Sequence, residues 1–211
     1  MLQMGKLVPR DRYGSQMIVR RNLARSLLRL SRWKTVGTVP AKGIVVGAPH
    51  TSNWDWVLTL LLCWRDGVQP KILIKKEFFA GPLAPVIRAT GGIPLDRTNP
   101  GADVRALLER AKSDESFMLT IAAEGTRSKG DFWKSGFLRI SQQTGLPITL
   151  AFVDGPTRTV GIGPTFTPSG IVTEDMDLVR KFYSDKHGIV PANRTEPRLR
   201  EETSTDPNSA Q

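Results

Sequence analysis

The chain has 211 residues, of which 39% are hydrophobic and 24% charged, a composition ordinary for one globular domain with a full hydrophobic core. Its single cysteine, Cys63, excludes an intrachain disulfide and a cysteine-rich metal site, and we expect a buried thiol. We find no run of the ~20 apolar residues that a membrane-spanning helix needs, and we expect no secretory signal. The formal net charge of +10 indicates an anionic partner, either nucleic acid or a membrane surface.

Most of this charge lies at the N-terminus. In residues 1–34, nine lysines and arginines minus one acid, Asp11, give +8 of the total +10. From Ser15 to Lys34, apolar and basic residues each recur at helical spacing on separate faces, which predicts a basic amphipathic helix. The apolar face consists of Val19, Leu23, Leu27 and Leu30, and the basic face of Arg21, Arg25, Arg29 and Arg32. Such a helix either lies in the headgroup layer of a membrane or packs its leucines on the rest of the protein.

Strand-like and helix-like segments alternate through the rest of the chain. The predicted strands are 44–48, 71–74, 93–95 (a strand or a turn), 117–122, 148–153 and 159–162. The predicted helices are 54–65, 82–89, 103–112, 135–144 and 175–182. This order predicts an α/β domain with a mainly parallel central sheet flanked by helices.

Three regions follow from these patterns. Residues 1–34 form the basic arm and amphipathic helix, and residues 35–190 form the α/β domain. Residues 191–211 are rich in Pro, Glu, Arg, Thr and Ser and nearly lack apolar side chains, so we predict a flexible tail.

The stretch GAPHTSNWDW, just after the first predicted strand of the domain, contains one of the two histidines, His50. Histidine suits proton removal near neutral pH when a carboxylate fixes its tautomer, and Asp55 lies five residues on. If the helix begins near Asn53, His50 lies in the preceding loop and can fold back to meet Asp55. The alternative is a capping box, in which Ser52 and Asp55 only satisfy amides at the helix start. Taken alone, the stretch leaves both interpretations open.

Two arginines, Arg97 and Arg127, each follow a glycine-containing turn beyond a predicted strand. Ligands usually bind at such turns in open α/β sheets, and the planar guanidinium group matches a phosphate. Lys76 is either a further phosphate contact or a charge that keeps an edge strand soluble. For each arginine, the alternative is a solvated or surface-paired charge.

Four segments, in this order, resemble the motifs of the glycerolipid acyltransferase family, whose best-known members acylate 1-acyl-glycerol-3-phosphate. They are H-x-x-x-x-D from His50 to Asp55, GGIPLDR ending in Asp96-Arg97, EGTR at 124–127 and LPI at 146–148. The resemblance spans residues 42–153, and EGTR at its distance behind H-x-x-x-x-D is its most specific part. The chain departs from the family at Ala123, where many members have proline, and at Pro49, where a common version has asparagine.

The resemblance implies a reaction and a role for each residue. His50 would take the proton of an acceptor hydroxyl, with Asp55 orienting it, and the hydroxyl would attack the thioester of acyl-CoA or acyl-carrier protein. Arg97 and Arg127, assisted by Lys76, would hold the phosphate of a lysophospholipid such as 1-acyl-glycerol-3-phosphate. The residues implied to shape the site are Glu124, Gly125, Thr126, Gly92 and Pro147. No metal and no cofactor other than the acyl donor is implied.

The two departures leave the acceptor open, and the alternative is another hydroxylated lipid, such as a glycolipid or an amino-acid lipid. A nucleic-acid-binding protein would also fit the pI of about 10.2. However, the charge is concentrated in one amphipathic arm and no nucleic-acid-binding motif is present, so we expect no nucleic-acid partner. A non-catalytic lipid-binding protein is disfavoured by the complete motif set. The expected location is cytoplasmic, with peripheral attachment to an anionic membrane surface through residues 16–34.

Overall fold

A computed structural model describes residues 10–95, 109, 111 and 116–203. Its strands are β1 (Lys34–Val36), β2 (Gly43–Gly47), β3 (Lys71–Lys75), β4 (Gly92–Leu95), β5 (Met118–Ala122), β6 (Ile148–Asp154) and β7 (Thr159–Phe166). They form one seven-stranded sheet in the order β1-β7-β6-β2-β5-β3-β4. Every neighbouring pair is parallel except β6 and β7, which confirms the predicted α/β architecture with a mainly parallel sheet.

Six α-helices lie within the described residues. They are α1 (Arg10–Leu30), α2 (Asn53–Arg65), α3 (Ala84–Ala89), α4 (Gly136–Thr144), α5 (Val172–Tyr183) and α6 (Arg200–Thr203). The predicted N-terminal helix is present, but it ends before Arg32, which adopts a left-handed φ of 60°. Lys34 therefore begins the edge strand β1, which the sequence did not predict. The predicted helix at 103–112 lies outside the described residues, apart from 109 and 111.

Side chains alternate along the central strands and build a core on each face of the sheet. Ile44 and Val46 of β2 point into one core, which α4 and α5 cover. Val45, between them, points into the other core, which α1 and α2 cover. Cys63 of α2 lies in this second core, and burial raises the pKa of its thiol to about 12. The predicted buried thiol is thus confirmed.

Helix α1 packs on α2 through a face that the hydrophobic pattern did not predict. Ala24 is fully buried and Leu28 is only 4% exposed. The predicted apolar face is instead open to solvent: Val19 is 66% exposed, Leu23 48%, Leu27 41% and Leu30 82%. The interpretation that these leucines pack on the domain is therefore wrong.

The packed face of α1 separates an apolar flank from a basic flank. With about 100° of rotation per residue, Leu23 and Leu27 lie on one side of the packed residues, and Arg25 and Arg29 lie on the other. The two arginines line a cleft of about 320 Å³ together with Arg65, the last residue of α2. Within the described residues, no helix combines the length and the apolar character needed to span a membrane.

The described part of the predicted flexible tail, residues 191–203, packs on the domain, so that part of the prediction is wrong. Leu199 and Thr195 are buried. The indole Nε1 of Trp133 donates to the carbonyl of Thr195 at 3.1 Å, and Arg180 pairs with Glu202 at 2.6 Å. Composition missed this packing because single polar and apolar anchors, rather than a hydrophobic pattern, hold the segment. Residues 204–211 lie outside the described range.

Candidate active site

The two most specific motifs meet at one edge of the sheet because their strands are neighbours. Strand β2 ends at Gly47, shortly before His50, and β5 ends at Ala122, shortly before the EGTR turn at 124–127. Gly47 and Ala122 are paired in the parallel ladder between these strands. Both motifs therefore leave the sheet side by side at its carboxyl edge, where open α/β sheets bind ligands.

His50 and Asp55 form a pair in the loop that leads into α2. The Nδ1 atom of His50 lies 3.3 Å from Oδ2 of Asp55, and the carboxylate is almost completely buried. The same Oδ2 atom accepts hydrogen bonds from the backbone N–H groups of Thr51 (2.6 Å) and Ser52 (2.7 Å). Because Nδ1 faces the carboxylate, Nε2 is the nitrogen that can accept a proton.

The capping box is also present, beside the contact between His50 and Asp55. The Ser52 hydroxyl accepts a hydrogen bond from the N–H of Trp54 at 3.2 Å, and α2 begins at the next residue after Ser52. Asp55 supplies the reciprocal acceptor for the N–H of Ser52. One aspartate thus stabilises the helix start and contacts the histidine.

Glu124 lies behind the His50 loop and holds its main chain. Its Oε1 atom accepts a hydrogen bond from the backbone N–H of His50 at 2.6 Å, and Oε2 accepts one from the N–H of Thr195 at 3.0 Å. Burial raises the pKa of this carboxyl above its usual value, although the backbone hydrogen bonds act in the opposite direction. Glu124 therefore supports the site from behind through backbone contacts.

His50 and Asp55 line a cavity of about 680 Å³. Gly125 and Arg127 of the EGTR turn contribute to the same wall. The rest of the lining is mostly apolar and includes Trp56, Ile72, Ile74, Phe78, Leu83, Val86, Ile87 and Phe152. A histidine–carboxylate pair and an arginine thus share one cavity with a large hydrophobic surface.

Three other predicted residues are not among the lining residues but lie near such residues in sequence or in space. Thr126 is exposed in the EGTR turn, where its hydroxyl accepts a hydrogen bond from the N–H of Ser128 at 3.3 Å. Lys76 is exposed at the start of the 3₁₀ turn Lys76–Phe79 that follows β3. Gly92 begins β4, and a Cβ atom there would lie 2.5 Å from Cγ2 of Ile87, a residue of the cavity wall.

One predicted site residue within the described range is not brought to the cavity. Pro147 precedes β6 at the amino edge of the sheet, where its carbonyl accepts a hydrogen bond from the N–H of Ile44 at 2.9 Å. His50 follows the opposite edge of the sheet, so Pro147 does not have the site-shaping place that the resemblance implied. Arg97 lies outside the described residues. Sequence reasoning also missed Thr51 and Thr195, which carry no motif of their own.

A family model described as Acyltransferase matches residues 29–152, which are 124 of the 211 residues. The chain belongs to the acyltransferase family. The fold of this acyltransferase is similar to the crystal structure of the 1-acyl-sn-glycerophosphate acyltransferase PlsC from Thermotoga maritima. That likeness has a TM-score of 0.58 at 18% identity and covers 85% of this chain and 80% of that one, which establishes the fold. A comparison with curated proteins returned no match.

The matched region of the acyltransferase contains His50, Asp55 and the EGTR turn. It ends at residue 152, within β6. Thr195, which reaches Glu124 from the C-terminal segment, therefore lies outside the part of the chain that the family model describes.

Proposed function

We propose that this acyltransferase moves a fatty acyl group from acyl-CoA or acyl-carrier protein to the hydroxyl of a lysophospholipid such as 1-acyl-glycerol-3-phosphate. His50 is the general base. The observation that carries the proposal is the 3.3 Å contact between His50 and Asp55 on the wall of a mostly apolar cavity. A base beside a hydrophobic chamber suits the attack of a hydroxyl on a fatty thioester.

The reaction needs one proton relay and no covalent acyl-enzyme. The Nε2 atom of His50 accepts the hydroxyl proton while the hydroxyl oxygen bonds to the thioester carbonyl carbon. The carbon–sulfur bond then breaks, the acyl group is left as an ester, and the departing sulfur takes the proton from the imidazolium. Asp55 stabilises the imidazolium between the two steps. A base positioned in this way typically contributes a factor of about 10²–10⁴.

The apolar part of the cavity is proposed to hold the acyl chain. Three of its lining residues, Phe78, Leu83 and Val86, are more than half exposed and form an apolar rim. Exposed apolar side chains beside a ligand cavity are typical of a surface that meets lipid. The rim would let a lipid substrate enter from a bilayer without passing its chains through water.

Arg127 is proposed to bind the acceptor phosphate. It lies on the same cavity wall as His50 and forms no ion pair or hydrogen bond with any other described residue. A guanidinium group matches a phosphate by two parallel hydrogen bonds, which would fix the acceptor hydroxyl near the base. We propose Arg97 and Lys76 as further phosphate contacts.

Attachment to an anionic membrane surface is proposed through residues 16–34, at the cytoplasmic side. The apolar flank of α1 leaves Leu23, Leu27 and Leu30 exposed, although an apolar core lies beside them. Arg25 and Arg29 lie on the opposite flank and are likewise exposed. A helix of this kind inserts apolar side chains among headgroups, and each basic residue near an anionic leaflet adds about 1 kcal/mol.

The test is the release of free thiol from palmitoyl-CoA, with and without 1-acyl-glycerol-3-phosphate, for wild type and His50→Ala. We expect release that depends on the acceptor and that falls by about 10²-fold or more in the variant. Full activity in His50→Ala would overturn the proposed base.

If the wild type shows no turnover with this substrate pair, the proposed donor or acceptor is wrong. A panel of lysolipids, a glycolipid and an amino-acid lipid, each with palmitoyl-CoA and palmitoyl-carrier protein, then identifies the alternative. Loss of activity on Arg127→Gln restricted to phosphate-bearing acceptors would support the phosphate contact.

A further inference from the structure

The loop that carries His50 is tied to a segment beyond the family-matched region. The buried hydroxyl oxygen of Thr51 accepts hydrogen bonds from the backbone N–H groups of Ile189 (3.0 Å) and Val190 (3.1 Å). The Thr51 carbonyl accepts a third, from the Asn193 side-chain amide at 3.4 Å. Thr51, the residue next to His50, is therefore hydrogen-bonded to three residues of a distant segment, 189–193.

The close packing at Thr51 depends on a glycine. A Cβ atom at Gly188 would lie 2.7 Å from the Thr51 hydroxyl oxygen, and Gly188 has a φ of 77°, which side chains rarely adopt. The carbonyl of Gly188 accepts from the N–H of Gly155 at 3.0 Å, and the N–H of His187 donates to Asp154 at 2.8 Å. The segment is thus fixed to the end of β6 before it reaches the His50 loop.

A second tie runs through Glu124. Its carboxylate bridges the backbone N–H of His50 and the backbone N–H of Thr195. Thr195 is fixed in turn, because its hydroxyl accepts from the N–H of Gly130 at 2.9 Å and its carbonyl accepts from the Trp133 indole at 3.1 Å. Residues 187–195 therefore hold the His50 loop at two successive positions, 50 and 51.

We propose that residues 187–195 form a C-terminal clamp that positions His50, with Thr51 and Glu124 as the positioning residues through which it acts. The proposal rests on the proposed role of His50 as the base. The N–H of Thr51 also donates to Asp55, so a shift of Thr51 moves the base and disturbs its carboxylate partner together. Misplacing a catalytic group by about 1 Å can cost a factor of about 10² in rate.

The test compares two substitutions of Thr51 with a matched control. Thr51→Val keeps the shape of the side chain but removes the hydroxyl oxygen that accepts the two backbone hydrogen bonds, whereas Thr51→Ser keeps this hydroxyl. Thr149→Val is the control, because Thr149 is an equally buried threonine whose hydroxyl pairs with Thr165 at 2.8 Å, away from the His50 loop. Hydrogen–deuterium exchange and steady-state thiol release are measured for all three and for His50→Ala.

We expect Thr51→Val to lower kcat by about tenfold or more while the KM for the thioester changes by less than about twofold. Thr51→Ser is expected to restore most of kcat, and Thr149→Val to keep the wild-type value. Exchange is expected to rise in residues 48–56 and 187–195 together in Thr51→Val alone. A purely structural role would instead lower kcat similarly in both valine variants.

The outcomes separate the clamp from the proposed function. If His50→Ala abolishes turnover and Thr51→Val leaves both kcat and exchange at wild-type values, the clamp is overturned and the function stands. If His50→Ala is fully active, or the wild type is inactive, the proposed function fails. In that case the exchange data test the clamp. Increased exchange in residues 48–56 and 187–195 together in Thr51→Val supports the clamp, and unchanged exchange overturns it.

Discussion

The Oδ2 atom of Asp55 lies 3.3 Å from Nδ1 of His50, and this single oxygen also accepts two backbone hydrogen bonds at the start of α2. The other oxygen, Oδ1, is buried without a hydrogen-bond partner among the described residues. One carboxylate oxygen thus contacts the proposed base and caps the helix. Substitution can separate these two roles.

Asp55→Asn is expected to lower kcat/KM by about 10²-fold or more while the protein stays folded. An amide oxygen in place of Oδ2 can still accept the backbone hydrogen bonds, but it carries no charge to stabilise an imidazolium. Ser52→Ala is the control, because it removes a cap without touching His50 and should cost about 1 kcal/mol of stability. Thiol-release kinetics and urea denaturation measure both quantities, and equal losses of activity in the two variants would contradict the assignment.

Thr59→Trp is expected to shift the acyl preference towards shorter chains. Thr59 lies one helical turn after Asp55 and lines the cavity, so a larger side chain there fills space proposed for the acyl group. We expect the ratio of kcat/KM for palmitoyl-CoA to that for octanoyl-CoA to fall by about tenfold. Leu178→Trp, at an exposed position of α5, is the control. An unchanged ratio in a folded Thr59→Trp variant would argue that the acyl chain lies elsewhere.

The sequence predicted most of the sheet and the contact between His50 and Asp55 because both depend on local patterns. The apolar run of β2 and the spacing from His50 to Asp55 are visible in one short stretch. By contrast, the packing of α1 depends on Ala24, a small residue that a hydrophobic pattern does not distinguish from its neighbours. The contact between Glu124 and Thr195 joins positions 71 residues apart, so no local pattern could have revealed it.

Pro147 shows the limit of transferring motifs by order alone. Its motif was found where the family resemblance requires it, yet the residue lies at the amino edge of the sheet. The order of motifs along a sequence does not determine which end of a strand a residue occupies. The segment 191–203 was predicted to be flexible from its polar composition, and that composition gave no sign that Thr195 and Leu199 are buried.

Asp154 is expected to make stability depend on pH in the acidic range. Burial acts to raise the pKa of Asp154, but hydrogen bonds from Thr157 and from the N–H of His187 outweigh it and hold the pKa below its usual value. The Asp154 carboxylate therefore binds a proton more tightly in the unfolded chain than in the folded protein. The stabilisation is present above the ordinary value of about 4 and is lost as the pH falls through the lower folded value.

Urea denaturation of wild type and Asp154→Asn at pH 7 and at several acidic values checks this expectation. The difference in free energy of unfolding should be largest at pH 7 and should shrink below about pH 4. Thr157→Val removes one stabilising hydrogen bond and should weaken the pH dependence. A difference that stays constant across the range would contradict the assignment.

Helix α1 has both buried and exposed leucines, and comparing the two kinds tests membrane attachment. Leu28 is 4% exposed against α2, so Leu28→Ala is expected to lower the free energy of unfolding by about 2–5 kcal/mol. Leu27, its neighbour in sequence, lies on the apolar flank at 41% exposure, and Leu30 is 82% exposed. Replacing Leu27 and Leu30 together by serine should cost much less stability, because both side chains already meet solvent.

The same double variant should lose binding to phosphatidylglycerol vesicles, since the proposed insertion depends on these side chains. Sedimentation with phosphatidylglycerol vesicles and with neutral phosphatidylcholine vesicles, each at low and high salt, measures the binding. Arg25→Gln with Arg29→Gln tests the basic flank, and we expect it to reduce the salt-sensitive part of the affinity. Wild-type vesicle binding in both double variants would show that α1 is not the membrane contact, and would leave the exposed rim at Phe78, Leu83 and Val86 as the surface to test.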